Sequence, residues 1–473
     1  VPTVALPLDS KLFLNVAETA LKHAAAALEN VVVTEAKGLR RFPGLTQFAA
    51  LGDQGRAYLT DWRGDLLAAT SLGRLYRLDA SGTVQDVTGV PLSGGGRATF
   101  AKTEDELLIA AGGPILTWNG IQTKVLSTDA PNTTHVAFID GYTLAIEAHS
   151  GRFYHTAPGV STSWDALDVF TAEGKPDDLN AMLVTQFREL LMCGEDSIEQ
   201  FERSTTGDRP FWRRWASGDG LFAPYTLVEA DQGTWGVNKK REFVRFVGQT
   251  YQQKSDDVGA VLMAIDDWTD AWAQPLLIDG QKYIVLQAPK ATNAYGTPGV
   301  TLLFDYRAKR WHALYGWSTA TARPVRWPGW SIHHLWGRVF VGGEGRIYEM
   351  LPGAYDHAGA IQRVLWRSAH FDAPDLAGKS ATRVEIGDIR IRARRGVGPV
   401  SGTAPVMRLR LRKDNRVWTR WASKSLGLAG DNEMLLRFGN FGQASQVQFE
   451  IDMTDAAAFE IVSAWADVEP IAL

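Results

Sequence analysis

Short runs of Val, Ile, Leu, Phe and Trp alternate with polar residues along most of this chain, and Gly, Asp or Asn interrupts them every eight to twelve residues. A period of two places successive side chains on opposite faces, so these runs predict short, half-buried strands. "DELLIAAGG", "GYTLAIEAH", "REFVRFVGQTYQQ", "VTLLFDYRAKRW" and "GRVFVGGEG" are typical. One segment departs from this pattern. Residues 16–30, "VAETALKHAAAALEN", are Ala-rich with strong helix formers and predict a helix. A shorter helical candidate covers residues 257–270, "DVGAVLMAIDDWTD". The expectation is an all-β protein.

The strands repeat. Gly-Arg-apolar-Tyr occurs at Gly73, Gly151 and Gly345, each time opening a strand after a tight turn. Seven strands align on this pattern: residues 73–78, 114–119, 151–156, 197–202, 242–247, 301–306 and 345–350. Their starts lie 41, 37, 46, 45, 59 and 44 residues apart. A repeat of this length with about four strands per unit is the signature of a β-propeller. Seven blades are expected, or six if the long interval around Asp266 hides an irregular one. In "GRIY", Ile347 should face one side of its blade, with Arg346 and Tyr348 on the other. Residues 1–44 lie outside the repeat and are expected as an N-terminal arm with one helix, residues 45–357 as the propeller. Beyond 358 the repeat fades but strands continue, which predicts a C-terminal β-sandwich over 358–473.

Composition narrows the function classes. The 473 residues carry a formal net charge of −4, so the molecule as a whole is not a nucleic-acid-coating polycation. The single cysteine, Cys193, rules out an internal disulfide and a Cys-based zinc site, which suits a reducing compartment. The N-terminal stretch has no basic region followed by an apolar core, so no secretory signal is expected. No run of 18 apolar residues occurs, so no transmembrane helix is expected.

The candidate chemistry mostly has plain explanations. Cys193 in "LLMCGED" reads as a buried structural thiol. His149 and His155 flank one hairpin near Glu147, and His333 and His334 are adjacent, but none has metal-ligand spacing. Asp266, Asp267 and Asp270 do not match a calcium loop and read as a turn or helix start. The Gly-rich "LSGGGRATF" and "AAGGPI" lack the Lys-Ser/Thr of a phosphate loop and read as hairpin turns. Trp317, Trp327, Trp330 and Trp336 fall within twenty residues and read as packing or interface residues rather than a sugar platform. No catalytic residue, metal site or cofactor is expected.

Residues 391–420 stand apart, with nine Lys or Arg and one Asp. Arg392, Arg394 and Arg395 open the segment. Arg408, Arg410 and Arg412 alternate with Leu409 and Leu411, which puts the three arginines on one face of a strand. That row is suited to phosphates or an acidic partner surface, and equally to a merely solvated face.

Several phrases resemble one family. "GLRRFPGLTQFAAL" (residues 38–51) is similar to its entry into the propeller. "STSWDALDVFTAEGKPDDL" (161–179) and "RELLMCGEDSIEQFERSTTGDRPFWR" (188–213) resemble two of its blade segments. "LFDYRAKRWHAL" and "GGEGRIYEMLPGAYDHAGAIQR" resemble its later blades and exit. "RARRGVG", "DNRVWTRWASKSLG" and "LLRFGNFGQASQVQFEIDMT" resemble its C-terminal domain. The family is the packaged-DNA stabilisation, or tail hub and nozzle, proteins of short-tailed bacteriophages. The resemblance implies a structural virion protein rather than an enzyme: a homo-hexameric ring below the portal and adaptor, assembled in the host bacterial cytoplasm. Such a ring extends the DNA channel and retains the packaged double-stranded genome until ejection, without reading its sequence. The implied partners are portal or adaptor proteins and a distal tail needle or tail fibres. Two other readings compete. A sugar-binding or glycoside-hydrolysing propeller requires an arginine cluster with Tyr and a carboxylate in one central pocket. A propeller scaffold of a cellular complex is the other, since fold alone does not fix function.

Overall fold

A computed structural model describes residues 3–8, 11–12, 24–147, 149–172, 175, 177–204, 209–394, 401–430, 434–439 and 441–471. Its centre is a β-propeller. The first blade is the antiparallel sheet Ala57–Trp62, Asp65–Thr70, Leu75–Leu78 and Val84–Asp86, counted outward from the axis. Four more blades are likewise separate four-stranded sheets, and the last blade, also free-standing, starts at Ser331–Leu335. The sixth blade in chain order, Trp272–Ile278 to Arg310–Ala313, sits between the last two of these and continues outward into the C-terminal sheet. Seven innermost strands thus surround the axis.

Each blade buries both faces against its neighbours, which is why inner strands read as continuous apolar runs. Leu66, Leu67, Ala68 and Ala69 are all fully buried. Leu67 and Ala69 pack toward the second blade, Leu66 and Ala68 toward the last. The seven aligned phrases of the sequence occupy equivalent places, as the third strand of each unit: Leu75–Leu78, Leu116–Trp118, Arg152–Thr156, Ile198–Arg203, Phe243–Val247, Pro298–Asp305 and Arg346–Leu351. In the last of them Ile347 packs toward the first blade and Tyr348 toward the sixth, on opposite faces as the alternation predicts. Gly345, at φ 65°, makes the turn that starts this strand. The fourth strand of the last blade is Gly44–Ala50, from the opposite end of the propeller segment, and its pairing with Arg346–Leu351 closes the ring.

The expected N-terminal helix is corrected in part. Residues 16–23 lie outside the described residues, but Ala24–Glu29 is a strand. It pairs antiparallel with Val364–Ser368 and meets Arg310–Ala313 at Glu29. The preference of alanine for helix is worth only a few tenths of a kcal/mol per residue over most alternatives. Filling an open sheet edge with backbone hydrogen bonds outweighs it. The short helical candidate forms as Gly259–Ala264.

The C-terminal strands form two packed sheets. One runs Ala24–Glu29, Val364–Ser368, Gln446–Met453, Val406–Lys413 and Ala422–Ser425, and is continuous with the sixth blade. The other holds Val31–Val33, Leu39–Arg41, Glu460–Ile471, Arg383–Ala393 and Met434–Phe438, with Thr3–Ala5 added on Glu460–Ile471. Ile389, Ile391, Leu409, Leu411, Phe449, Ile451, Ala464 and Ala466 meet in the core between them. The described N-terminal strands are therefore woven into this sandwich instead of standing apart as an arm. Arg41 locks the junction. Its buried guanidinium donates to the carbonyls of Tyr355 (3.1 Å), Gln362 (3.2 Å), Met453 (3.5 Å), Asp455 (2.8 Å) and Ala457 (2.7 Å). Burial lowers its pKa to about 10, so it stays charged at neutral pH.

Candidate functional site

The arginine row is where period-two alternation places it, but its chemistry is different from either expectation. Leu409 and Leu411 enter the sandwich core, while Arg408 and Arg410 point out of the sheet toward two buried carboxylates on the neighbouring strand Gln446–Met453. Asp452 takes a two-pronged contact from Arg408 (2.7 and 2.8 Å) and a third from Arg363 (3.1 Å). Glu450 joins Arg410 (2.5 Å) and Arg367 (2.5 Å). The side chains of Glu450 and Asp452 are 0% and 1% exposed, so the carboxylates are internal while the arginines reach the surface. Trp418 and Trp421 lie over the guanidinium groups, Trp421 at 4.2 Å from Arg410. Arg412 donates to the carbonyls of Arg416 (2.9 Å) and Asn415 (3.3 Å) and pins the following hairpin turn. Arg408 and Arg410 are thus engaged by carboxylates of the fold, while four arginines share two carboxylates.

The other predicted arginines are on the second sheet and point out of the opposite face of the sandwich. Arg392 is exposed, and Arg394 pairs with Glu460 at 3.3 Å. Arg395 lies outside the described residues. The structure does not bring the two sets together, because Ile389, Ile391, Leu409 and Leu411 all turn inward between them.

The remaining candidates disperse. Cys193 is buried in the fourth blade, and burial pushes its thiol pKa up. His155 is packed among Tyr142, Phe170 and Phe211, and His149 sits in a turn at φ 57°. His333 meets Asp61 at 2.8 Å, whereas His334 accepts from the Leu277 N–H at 3.0 Å. Asp266 accepts from Thr292, Asp267 from the Thr269 N–H, and Asp270 pairs with Arg56 (2.7 Å) and Lys290 (3.1 Å). Among the described residues no group of three metal-ligating side chains converges. Trp327 and Trp330 are buried, and Trp330 is sandwiched between Arg56 (4.4 Å) and Arg326 (4.2 Å). This is the packing role expected for the tryptophan-rich stretch.

The propeller axis holds a cavity of about 490 Å³, lined from all seven innermost strands or the turns that precede them. At ~30 Å³ each, roughly sixteen waters would fill it. A nucleic-acid duplex cannot thread such a space. Arg97, at the start of the second blade, extends across this space. Its guanidinium rests over Tyr58 of the first blade (4.9 Å) and Trp272 of the sixth (5.0 Å). His135 of the third blade stacks on Tyr225 at 5.2 Å. Burial lowers the His135 pKa to about 4, so it is neutral at pH 7. Sequence reasoning passed over Arg97 because "SGGGRATF" looks like a hairpin turn. The available signal was a lone arginine leading directly into an inner strand. Among the described residues one arginine lines the cavity, whereas a glycosidase-like site requires a cluster.

Comparison with known proteins places this geometry. A family model for phage stabilisation proteins, described as "Bacteriophage P22 Gp10, beta-propeller", matches residues 25–352. No curated protein matches the sequence. Solved structures of similar shape include the WD40 propeller domain of Doa1, at 12% identity and a TM-score of 0.41 over 65% of this chain and 97% of that one. Streptogramin B lyase aligns at 10% identity and a TM-score of 0.42, again over 65% and 97%. YCF48 from Cyanidioschyzon merolae aligns at 12% identity and a TM-score of 0.40, over 65% and 99%.

Proposed function

This chain belongs to the phage stabilisation family of β-propeller proteins, a structural and not a catalytic family, and we propose that it is the tail hub, or nozzle, of a short-tailed phage. In this reading six copies form a ring below the portal and its adaptor, extend the DNA channel and retain the packaged genome until ejection. The family match over residues 25–352 carries the reading. One feature of the structure bears on it. The axial cavity of one propeller is too small for a duplex and is crossed by Arg97, so any DNA channel has to lie between subunits. A ring built from one kind of chain uses a heterologous interface that closes on itself. Partners would be the adaptor above and a needle or fibre protein below, with DNA contacted through its backbone and not its sequence. The protein would reside in the virion tail after assembly in the host cytoplasm. Among the described residues no helix is long and apolar enough to cross a membrane.

Native mass spectrometry and electron microscopy of the purified protein with its adaptor test this. A six-fold ring with an open centre, and loss of packaged DNA from particles lacking the protein, are expected. A monomer that leaves particle yield and genome retention unchanged when deleted would refute the reading.

A further inference from the structure

We infer that the axial cavity of the propeller is a binding site for a small oxyanion, a phosphate or a carboxylate, organised on Arg97. Arg97 is only 6% exposed. A buried guanidinium is costly unless something compensates its charge. Other arginines with little exposure have compensation within the protein: Arg41 has five carbonyls, and the half-buried Arg326 and Arg363 have Glu344 at 2.9 Å and Asp452 at 3.1 Å. Arg97 has the faces of Tyr58 and Trp272, and no carboxylate among the described residues lies within ion-pair distance. Aromatic faces alone offset only part of the cost of burying a cation.

The surroundings sharpen the case. The carboxylate whose charge is felt at Arg97 is Asp270, and Asp270 is already committed to Arg56 (2.7 Å) and Lys290 (3.1 Å). Asp270 is thus shared between Arg56 and Lys290, and Arg97 makes no direct ion pair of its own with it. Glu229, which also lines the cavity, accepts the Gln186 N–H at 3.0 Å. Gln274 faces the same space, and its carbonyl oxygen accepts the Ile332 N–H at 2.5 Å. That leaves its amide NH2 to donate to a ligand. A guanidinium fork and an amide donor lining one cavity of about 490 Å³ are the donor types that phosphate and carboxylate take. Burial lowers the Arg97 pKa to about 10, so the site keeps its charge at neutral pH.

The test is thermal unfolding of the full chain in inorganic phosphate or in glutamate, each against chloride at matched ionic strength. Whichever anion class fits should raise Tm saturably, by roughly 2–3 °C at a hundredfold excess over Kd for a chain of this length. Comparing the two salts distinguishes the phosphate from the carboxylate source. Arg97→Met, which keeps the bulk and removes the charge, should fold and lose the response. If Arg97→Met does not fold, Arg97→Lys and a phosphorus NMR titration decide the matter. Binding about tenfold weaker than wild type is then expected. No response in wild type beyond that to chloride overturns the inference. So does a full response in Arg97→Met, or equal affinity in Arg97→Lys.

Discussion

Arg408 and Arg410 show how far one strand's pattern can be read without its neighbour. The alternation with Leu409 and Leu411 correctly assigns the two faces, and the leucines are fully buried. What the arginines meet depends on "FEID", forty residues later, where Glu450 and Asp452 alternate with Phe449 and Ile451 in the same phase. The complementary alternation is present in the sequence. Only the pairing register turns it into a ladder. Changing Arg408 and Arg410 to Ser leaves each buried carboxylate with one arginine instead of two. The expected cost is about 2–3 kcal/mol per site, the worth of a charge-assisted hydrogen bond. Chemical denaturation should show this as a lower midpoint. Genome retention by particles that do assemble at low temperature should be unchanged. A variant of full stability that leaks DNA would instead return the row to a DNA-facing role.

At the level of elements, turn chemistry and residue size decide what is legible. The seven third strands were recoverable because each follows a tight turn and carries an apolar or aromatic residue in a fixed phase. The strand at Ala24–Glu29 was not, because its residues favour a helix locally and its β conformation comes from two partners more than 280 residues away in sequence, Arg310–Ala313 and Val364–Ser368. Arg97 was hidden for a related reason, since a residue's place on the propeller axis depends on ring closure. The closing seam itself is tightly built. Ser331 donates to the Ala57 carbonyl (2.8 Å) and accepts from the Leu59 N–H (3.1 Å), which ties the last blade to the first. Gly342 faces the same carbonyl, and a methyl group there would overlap both the Ala57 oxygen and the Ser331 hydroxyl. Gly342→Ala is expected to lose about 1–3 kcal/mol, as overpacking in a core does. Equilibrium unfolding measures it, and a neutral result would mean the seam has slack.

For the whole molecule the decisive feature is that one sheet crosses the boundary between propeller and sandwich. It begins on the axis at Trp272–Ile278 and ends at the sandwich edge Ala422–Ser425, passing through Ala24–Glu29. Arg41 adds a second tie, holding the propeller exit at Tyr355 and Gln362 to the sandwich loop at Asp455 and Ala457. Under the proposed hub role such continuity is useful, because force on the sandwich is carried into the blades through a backbone ladder. Cooperative unfolding follows from the same connection, although chains of this size commonly unfold domain by domain. Scanning calorimetry should therefore give a single transition. Arg41→Met strips five carbonyls of their donor and is expected to cost about 3–5 kcal/mol. For a chain this long that corresponds to roughly 3–5 °C. The whole transition should move down together. If the variant, or the wild type, shows two separate peaks, propeller and sandwich are independent bodies and the shared sheet does not couple them.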